Sequence, residues 1–168
     1  MTAIQHLNAC PADEFVAEIG FAFEDSPWIA RAAAARRPFA DRDALHAAMV
    51  AVVESASELE QVELISAHPD LAGRVAREGR LTGASAAEQA GAGLGALTPA
   101  EIERFDRDNG AYRAKFAFPF VICARENTKD SILAALAARR NNDRTTEIAT
   151  ALAEIAKIAR LRIQDAVS

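Results

Sequence analysis

Thr98-Pro99-Ala100-Glu101-Ile102-Glu103-Arg104-Phe105-Asp106-Arg107-Asp108-Asn109-Gly110-Ala111-Tyr112-Arg113-Ala114-Lys115-Phe116 decides the fold class. It opens with a helix start signal. Thr98 supplies a capping hydroxyl, Pro99 fits the first helical position, and Glu101 completes a capping box. Ile102, Phe105, Tyr112 and Phe116 then recur at helical spacing, so one face is apolar. Phe118-Pro119-Phe120 ends the helix. Downstream, Thr128 caps a further helix through Leu136. Asn141-Asn142-Asp143 makes a break, with Asn142 or Asp143 as the next cap. A last helix runs to about Asp165, burying Ile148, Leu152, Ile155 and Ala159. Upstream, a helix over about Pro11–Phe23 carries Phe15 and Ile19 on one face. A second begins at Pro27, capped by Asp25 or Ser26, and ends before Pro38. A third spans about Asp41–Ser55 through Leu45, Met49, Val52 and Val53. A fourth covers Ser57–Ser66 with Leu59, Val62 and Ile65 inward, and Pro69 stops it.

No segment alternates apolar and polar residues over six or more positions, and alanine is abundant. Both features predict an all-α protein: a single-domain irregular bundle of about eight to ten helices over residues 1–168. The chain has 168 residues, 51% apolar and 26% charged, with 19 basic and 24 acidic side chains and a net charge of −5. That is globular composition. The acidic balance argues against a nucleic-acid partner. No apolar run approaches the roughly 20 residues of a membrane helix. Cys10 and Cys123 are too few for a disulfide framework and fit a reducing compartment. Neither a signal peptide at Met1–Cys10 nor a peroxisomal address in Ala166-Val167-Ser168 is indicated, so a cytoplasmic protein is expected.

Chemistry is sought in the stretches that do not read as helix, because connecting segments on a rigid scaffold often carry it. His68 stands between an apolar helix end and a helix-stopping proline. Histidine is the usual proton donor or acceptor near neutral pH, though a His here also serves to cap the preceding helix. His6 and His46 share no metal spacing with it, and neither cysteine sits in a CxxC, so no metal site is expected. Ser85-Ala86-Ala87-Glu88 reads as a capping box with Ser85 as cap, which also leaves helix N–H groups for an anion. Gln89 adds an amide that donates and accepts. Ser85 lacks a GxSxG elbow. Gly91-Ala92-Gly93-Leu94-Gly95 lacks the following Lys-Ser or Lys-Thr of a phosphate loop and reads as a flexible turn. Phe120-Val121-Ile122-Cys123-Ala124 is a buried strand-like segment or a helix start. Arg160 and Arg162, two positions apart on the last helix, point to nearly opposite faces.

Phe23-Glu24-Asp25-Ser26-Pro27-Trp28, His68-Pro69-Asp70-Leu71-Ala72-Gly73, Ser85-Ala86-Ala87-Glu88-Gln89 with Ala92-Gly93-Leu94, and Tyr112 through Phe120 together resemble the 2-oxo-4-hydroxy-4-carboxy-5-ureidoimidazoline (OHCU) decarboxylases of urate breakdown. The resemblance runs from about Leu7 to Ile163. Ala117 departs from it, standing where the family usually has Gly. The resemblance implies an all-α homodimer that converts an anionic ureidoimidazoline to (S)-allantoin and CO2 with no metal or organic cofactor. It implies His68 as proton donor. Glu88 would orient or partner His68, raising its pKa, or bond the ureido or ring N–H groups. Ser85 and Gln89 match substrate-binding positions, and Pro69 aims His68 and offers its carbonyl. The backbone of Phe120, Val121, Ile122, Cys123 and Ala124 lines the rest of the pocket with free N–H groups. Arg162, with Arg160 as the alternative, anchors the substrate carboxylate through a two-bond guanidinium contact. On this basis Arg162→Lys is expected to weaken substrate binding with little change in stability. Two rival classes remain: a lyase of another ureido compound, and a non-catalytic helical module.

Overall fold

A computed structural model describes residue 1 and residues 3–167, with the side chains of residues 74 and 75 left aside. The chain is all-α. Its described residues form ten α-helices: α1 (Ala3–Ala9), α2 (Ala12–Ile19), α3 (Pro27–Ala34), α4 (Arg42–Ser55), α5 (Glu58–Ser66), α6 (Arg74–Arg77), α7 (Gly83–Gly91), α8 (Pro99–Phe116), α9 (Lys129–Arg139) and α10 (Arg144–Ala166). Short 3-10 turns lie at Gly20–Ala22 and Ala124–Glu126. Among the described residues, no helix is long and apolar enough to cross a membrane. Residue 168, the end of the Ala166-Val167-Ser168 tripeptide, lies outside the description.

The capping signals act as their chemistry demands. Thr98 and Glu101 form the reciprocal capping box that opens α8, and Ser57 with Glu60 does the same for α5. Thr128 pairs with Ser131 at the head of α9, which runs to Arg139 rather than stopping at Leu136. Asp143 is the cap of α10: its Oδ1 accepts from Thr146 N at 2.8 Å. Asp41 caps α4 through Ala44 N.

Three expectations need correction. The helix expected over Pro11–Phe23 ends at Ile19 and tightens into the 3-10 turn, and α1 precedes it. Leu59 is 70% exposed, because the buried stripe of α5 runs through Leu64 and Ile65. The cap of α7 is Thr82, not Ser85. Thr82 accepts from Ser85 N at 3.3 Å, which starts the helix earlier and leaves Ser85 inside it.

The chain sorts into two compact units: residues 1–67 with the chain end from 156, and residues 68–155. In the first unit, α2 packs on α3 and α3 on α4. Phe15, Ile19, Ile29, Leu45 and Met49 are buried there. Arg37 joins it with backbone bonds to Leu7 O, Cys10 O and Ala34 O, tying the ends of α1 and α3 together. His46 Nε2 lies 2.8 Å from Ala156 O, a packing role. In the second unit α8 packs on α9. Tyr112, Phe116, Phe118 and Phe120 form an aromatic cluster, with the Tyr112 and Phe120 rings edge to face at 5.3 Å.

Candidate active site

The second unit begins at His68, which is buried at 6% exposure. The residues after it form a tight turn closed by Gly73 N–H donating to Asp70 O at 3.2 Å. Ala72, the third residue of that turn, has φ +53. An L-residue other than Gly, Asn or Asp rarely adopts this conformation. Gly73 is required for a different reason: a Cβ there would stand 2.8 Å from the Cβ of Asp70.

Side chains from three helices hold the turn. Gln89 of α7 accepts Ala72 N–H on Oε1 at 3.0 Å. Asn109 of α8 donates from Nδ2 to Leu71 O at 2.9 Å. Arg77 of α6 donates to Ala72 O at 2.8 Å and pairs with Asp106. Arg113 of α8 pairs with Asp70 at 3.0 Å.

Helix α7 carries three of the expected residues. Ser85 and Gln89, four apart, are buried on one face, and Glu88 is partly buried beside them. Because Gln89 Oε1 is taken by Ala72, what its amide offers a ligand is its NH2 donor. With Thr82 as cap, the helix end lies at Gly83 rather than after Ser85, and the Ser85 N–H is taken by the Thr82 hydroxyl. Helix α7 packs against the 3-10 turn at Ala124–Glu126, where the Phe120–Ala124 segment ends. The His68 turn, α7 and that segment therefore converge.

Phe120, Val121, Ile122, Cys123 and Ala124 are all buried, and the first four form no regular secondary structure. Arg139 Nη1 donates to Val121 O at 2.8 Å, and its guanidinium lies 4.4 Å from the Phe120 ring centroid. Cys123 N–H donates to Glu154 Oε2 at 2.8 Å, which corrects the expectation of free N–H groups at that residue. Burial, with the Glu126 charge as the next cause, pushes the Cys123 thiol above its ordinary pKa. It is a packing thiol rather than a nucleophile.

Behind this segment stands a network the sequence does not reveal. Glu147 is fully buried. It accepts from the Tyr112 hydroxyl, from Arg139 Nε at 2.8 Å and from Asn142 Nδ2 at 2.9 Å. Burial and the bond to Glu147 push the Tyr112 pKa well up, so Tyr112 stays a donor.

Arg162 belongs to the other unit. Arg160 is exposed and Arg162 is 4% exposed, so the two do face opposite ways. Arg162 Nη1 lies 2.8 Å from Glu24 Oε2 and donates to Phe21 O at 3.1 Å. Glu24, also 4% exposed, is the residue that sequence spacing misses. The only hint is its place in the Phe23–Trp28 block.

His6 of α1 approaches Glu14 and Glu18 of α2, a group that could hold a cation and that no linear spacing reveals. Its geometry is that of an ion pair, with His6 Nε2 2.7 Å from Glu18 Oε1. The bond and charge of Glu18 raise the His6 pKa, which favours the protonated ring over a metal-binding one.

The OHCU decarboxylase family matches residues 8–164. The chain belongs to the OHCU decarboxylase family. It is 41% identical over 162 residues to a 2-oxo-4-hydroxy-4-carboxy-5-ureidoimidazoline decarboxylase of Haloferax volcanii, covering 96% of this chain and 94% of that one. It is 40% identical to the protein of the same name from Amia calva, at 96% and 93% coverage. A uric acid degradation bifunctional protein of Bacillus subtilis is 37% identical across the whole chain, which spans 33% of that longer protein. Among solved structures, an (S)-allantoin synthase superposes with a TM-score of 0.78 at 31% identity, over 100% of this chain and 54% of that one. An OHCU decarboxylase crystallised in the presence of (S)-allantoin shares the fold, with a TM-score of 0.69 at 22% identity over 92% and 97% of the two chains. Membership in this decarboxylase family accords with the blocks around His68, Ser85 and Phe120.

Proposed function

We propose that this protein decarboxylates OHCU to (S)-allantoin and CO2 in the last of three steps of urate degradation, with His68 as the proton donor. The observation that carries the reading is the convergence, within one compact unit, of the buried His68 turn, α7 and the Phe120–Ala124 segment in a chain of this family. OHCU carries its own electron sink. A ring C=N bond adjoins the carbon that loses CO2, so the electron pair of the breaking C–C bond moves into the imine. Protonation of the neighbouring carbon from one face then sets the S configuration. The protein's task is to hold the substrate, exclude water and deliver one proton from one side.

In this reading Glu88 partners His68 or bonds the ureido or ring N–H groups. Ser85, the Gln89 NH2 group, the Pro69 carbonyl and the backbone of Phe120–Ala124 bind the substrate. Arg162 anchors the substrate carboxylate. No metal or organic cofactor takes part. The protein works as a homodimer of one-domain chains in the cytoplasm.

The test is circular dichroism of allantoin formed from freshly generated OHCU. Rapid appearance of the S enantiomer supports the reading. A slow racemic product identical to the protein-free control, from folded protein, rejects it. His68→Asn should keep the fold and lose about 10²–10⁴-fold in rate. Near wild-type turnover in that variant would remove His68 from the proton-donor role.

A further inference from the structure

We propose that Asn109 is a positioning residue for the proton donor: together with Gln89 it clamps the Leu71–Ala72 peptide, and so fixes the turn that aims His68. The inference deepens the reading given above and rests on His68 acting as the donor. Leu71 C=O and Ala72 N–H belong to one planar peptide unit and leave it on opposite edges. Asn109 donates to the first at 2.9 Å and Gln89 accepts from the second at 3.0 Å. A single peptide is thus held from two helices, α8 on one edge and α7 on the other.

Three further observations give the clamp a purpose. First, Ala72 is held at φ +53 and buried at 1% exposure. Backbone strain of this kind persists only where the surroundings over-determine it, and it clusters at functional sites. Second, the Asn109 amide is orientated by its partner. The opposite flip would set Oδ1 against a carbonyl oxygen. In the orientation observed, the buried Oδ1 finds no hydrogen-bond partner among the described residues. The bond to Leu71 O is therefore the contact through which Asn109 acts. Third, the connection to His68 is short and stiff. Pro69 fixes its own φ, and Asp70 is tied to Arg113 at 3.0 Å. Movement at Leu71 is passed to the imidazole rather than absorbed on the way.

The test uses Asn109→Leu, nearly isosteric and unable to donate, with Asn109→Ala carrying the same measurements if the first does not fold. Three quantities are read: kcat and KM on OHCU, the enantiomeric purity of allantoin after subtraction of spontaneous decay, and amide exchange of Ala72 N–H by NMR. A mis-aimed donor costs on the order of 10–100-fold in kcat. KM should change less than kcat, because Asn109 itself touches no substrate in this reading. The S excess should fall, and the Ala72 amide should exchange at least roughly tenfold faster. A merely structural role would lower the melting temperature without lowering the S excess of the folded fraction.

The proposal is overturned if a folded variant keeps wild-type kcat and S purity, or if Ala72 exchange is unchanged. If the wild-type protein itself fails to accelerate OHCU decay, the decarboxylase reading and the donor role of His68 fall with it. Ala72 exchange then still decides whether the clamp exists.

Discussion

Removing the guanidinium of Arg162 should cost far more stability than a surface arginine would. Arg162 and Glu24 are each about 4% exposed, 2.8 Å apart, and Arg162 also holds Phe21 O at 3.1 Å. Arg162→Met keeps the length of the side chain and leaves the Glu24 carboxylate in a site built for an ion pair. Breaking a buried pair from one side costs about 3–5 kcal/mol. Unfolding entropy of roughly 2.1 cal/mol/K per residue gives about 0.35 kcal/mol/K for this chain of 168 residues. The melting temperature should therefore fall by roughly 9–14 °C. Glu24→Gln, which removes the charge from the other side of the pair, should cost a similar amount. The double variant should recover part of either loss, because both members of the pair are then neutral. Calorimetry on the four proteins of the cycle measures this directly. A single variant melting within about 2 °C of wild type would refute the reasoning, as would single losses that simply add. The burial also revises the expectation for Arg162→Lys. Lysine presents a point charge instead of a fork, so the variant should lose stability as well as substrate affinity.

Ala117 ends α8 at φ 63 and ψ 20 with its methyl exposed, so Ala117→Gly relieves strain without opening a cavity. Relief of about 1–2 kcal/mol less the roughly 0.4–1 kcal/mol of extra unfolded-chain entropy leaves a net gain near 0.5–1 kcal/mol, readable as a higher urea midpoint. Tyr112→Phe removes a donor to the buried Glu147 carboxylate, and urea unfolding should show a loss of about 1.5–3 kcal/mol. The pKa of His6 is raised above its ordinary 6.5 by the bond to Glu18 and by the carboxylate charges. Its contribution to stability is therefore fully present below about pH 6.5 and is lost as pH rises through the folded-state value. NMR titration of the His6 ring should give a midpoint above 6.5 that falls in Glu18→Gln.

What could be read from the sequence was local chemistry. Thr98, Pro99 and Glu101 lie within four positions, and one turn of chain is enough for them to satisfy each other. The same holds for Ser57 with Glu60 and for Asp143 with Thr146. His68 was legible because Pro69 pins the helix end beside it. At the head of α7 local chemistry is ambiguous. Thr82 and Ser85 are both good caps three residues apart, and only the folded chain reveals that the first one wins. Helix α6, four residues long, is too short to show periodicity. The contacts that escaped notice are polar and act over distance. Asn109 meets Leu71 across 38 positions, Tyr112 meets Glu147 across 35, and Arg162 reaches Phe21 across 141. In a linear reading nothing joins the two ends of any of these contacts. Burial distinguishes them, and burial is a tertiary property.

Those buried polar groups and the strained backbone occupy the same segments. Among the described residues, three other than glycine have positive φ: Asp25, Ala72 and Ala117. Asp25 directly follows Glu24, the partner of Arg162. Ala72 lies in the His68 turn. Ala117 opens the Phe118-Pro119-Phe120 passage into the segment that Arg139 and Glu154 hold. The three strains differ in what sustains them. Asp25 is of a type that tolerates this conformation, and Ala117 is exposed, its amide donating to Arg113 O. Ala72 has neither excuse: it is buried, has no polar side chain, and keeps its shape because Gln89, Asn109 and Arg77 bond its peptide groups. Relief of strain should therefore have opposite consequences at the two alanines. At position 117, glycine should add stability and leave catalysis alone. At position 72, glycine would remove the strain but also the stiffness, so any gain in stability there should come with a less sharply aimed His68 and a lower S excess in the product.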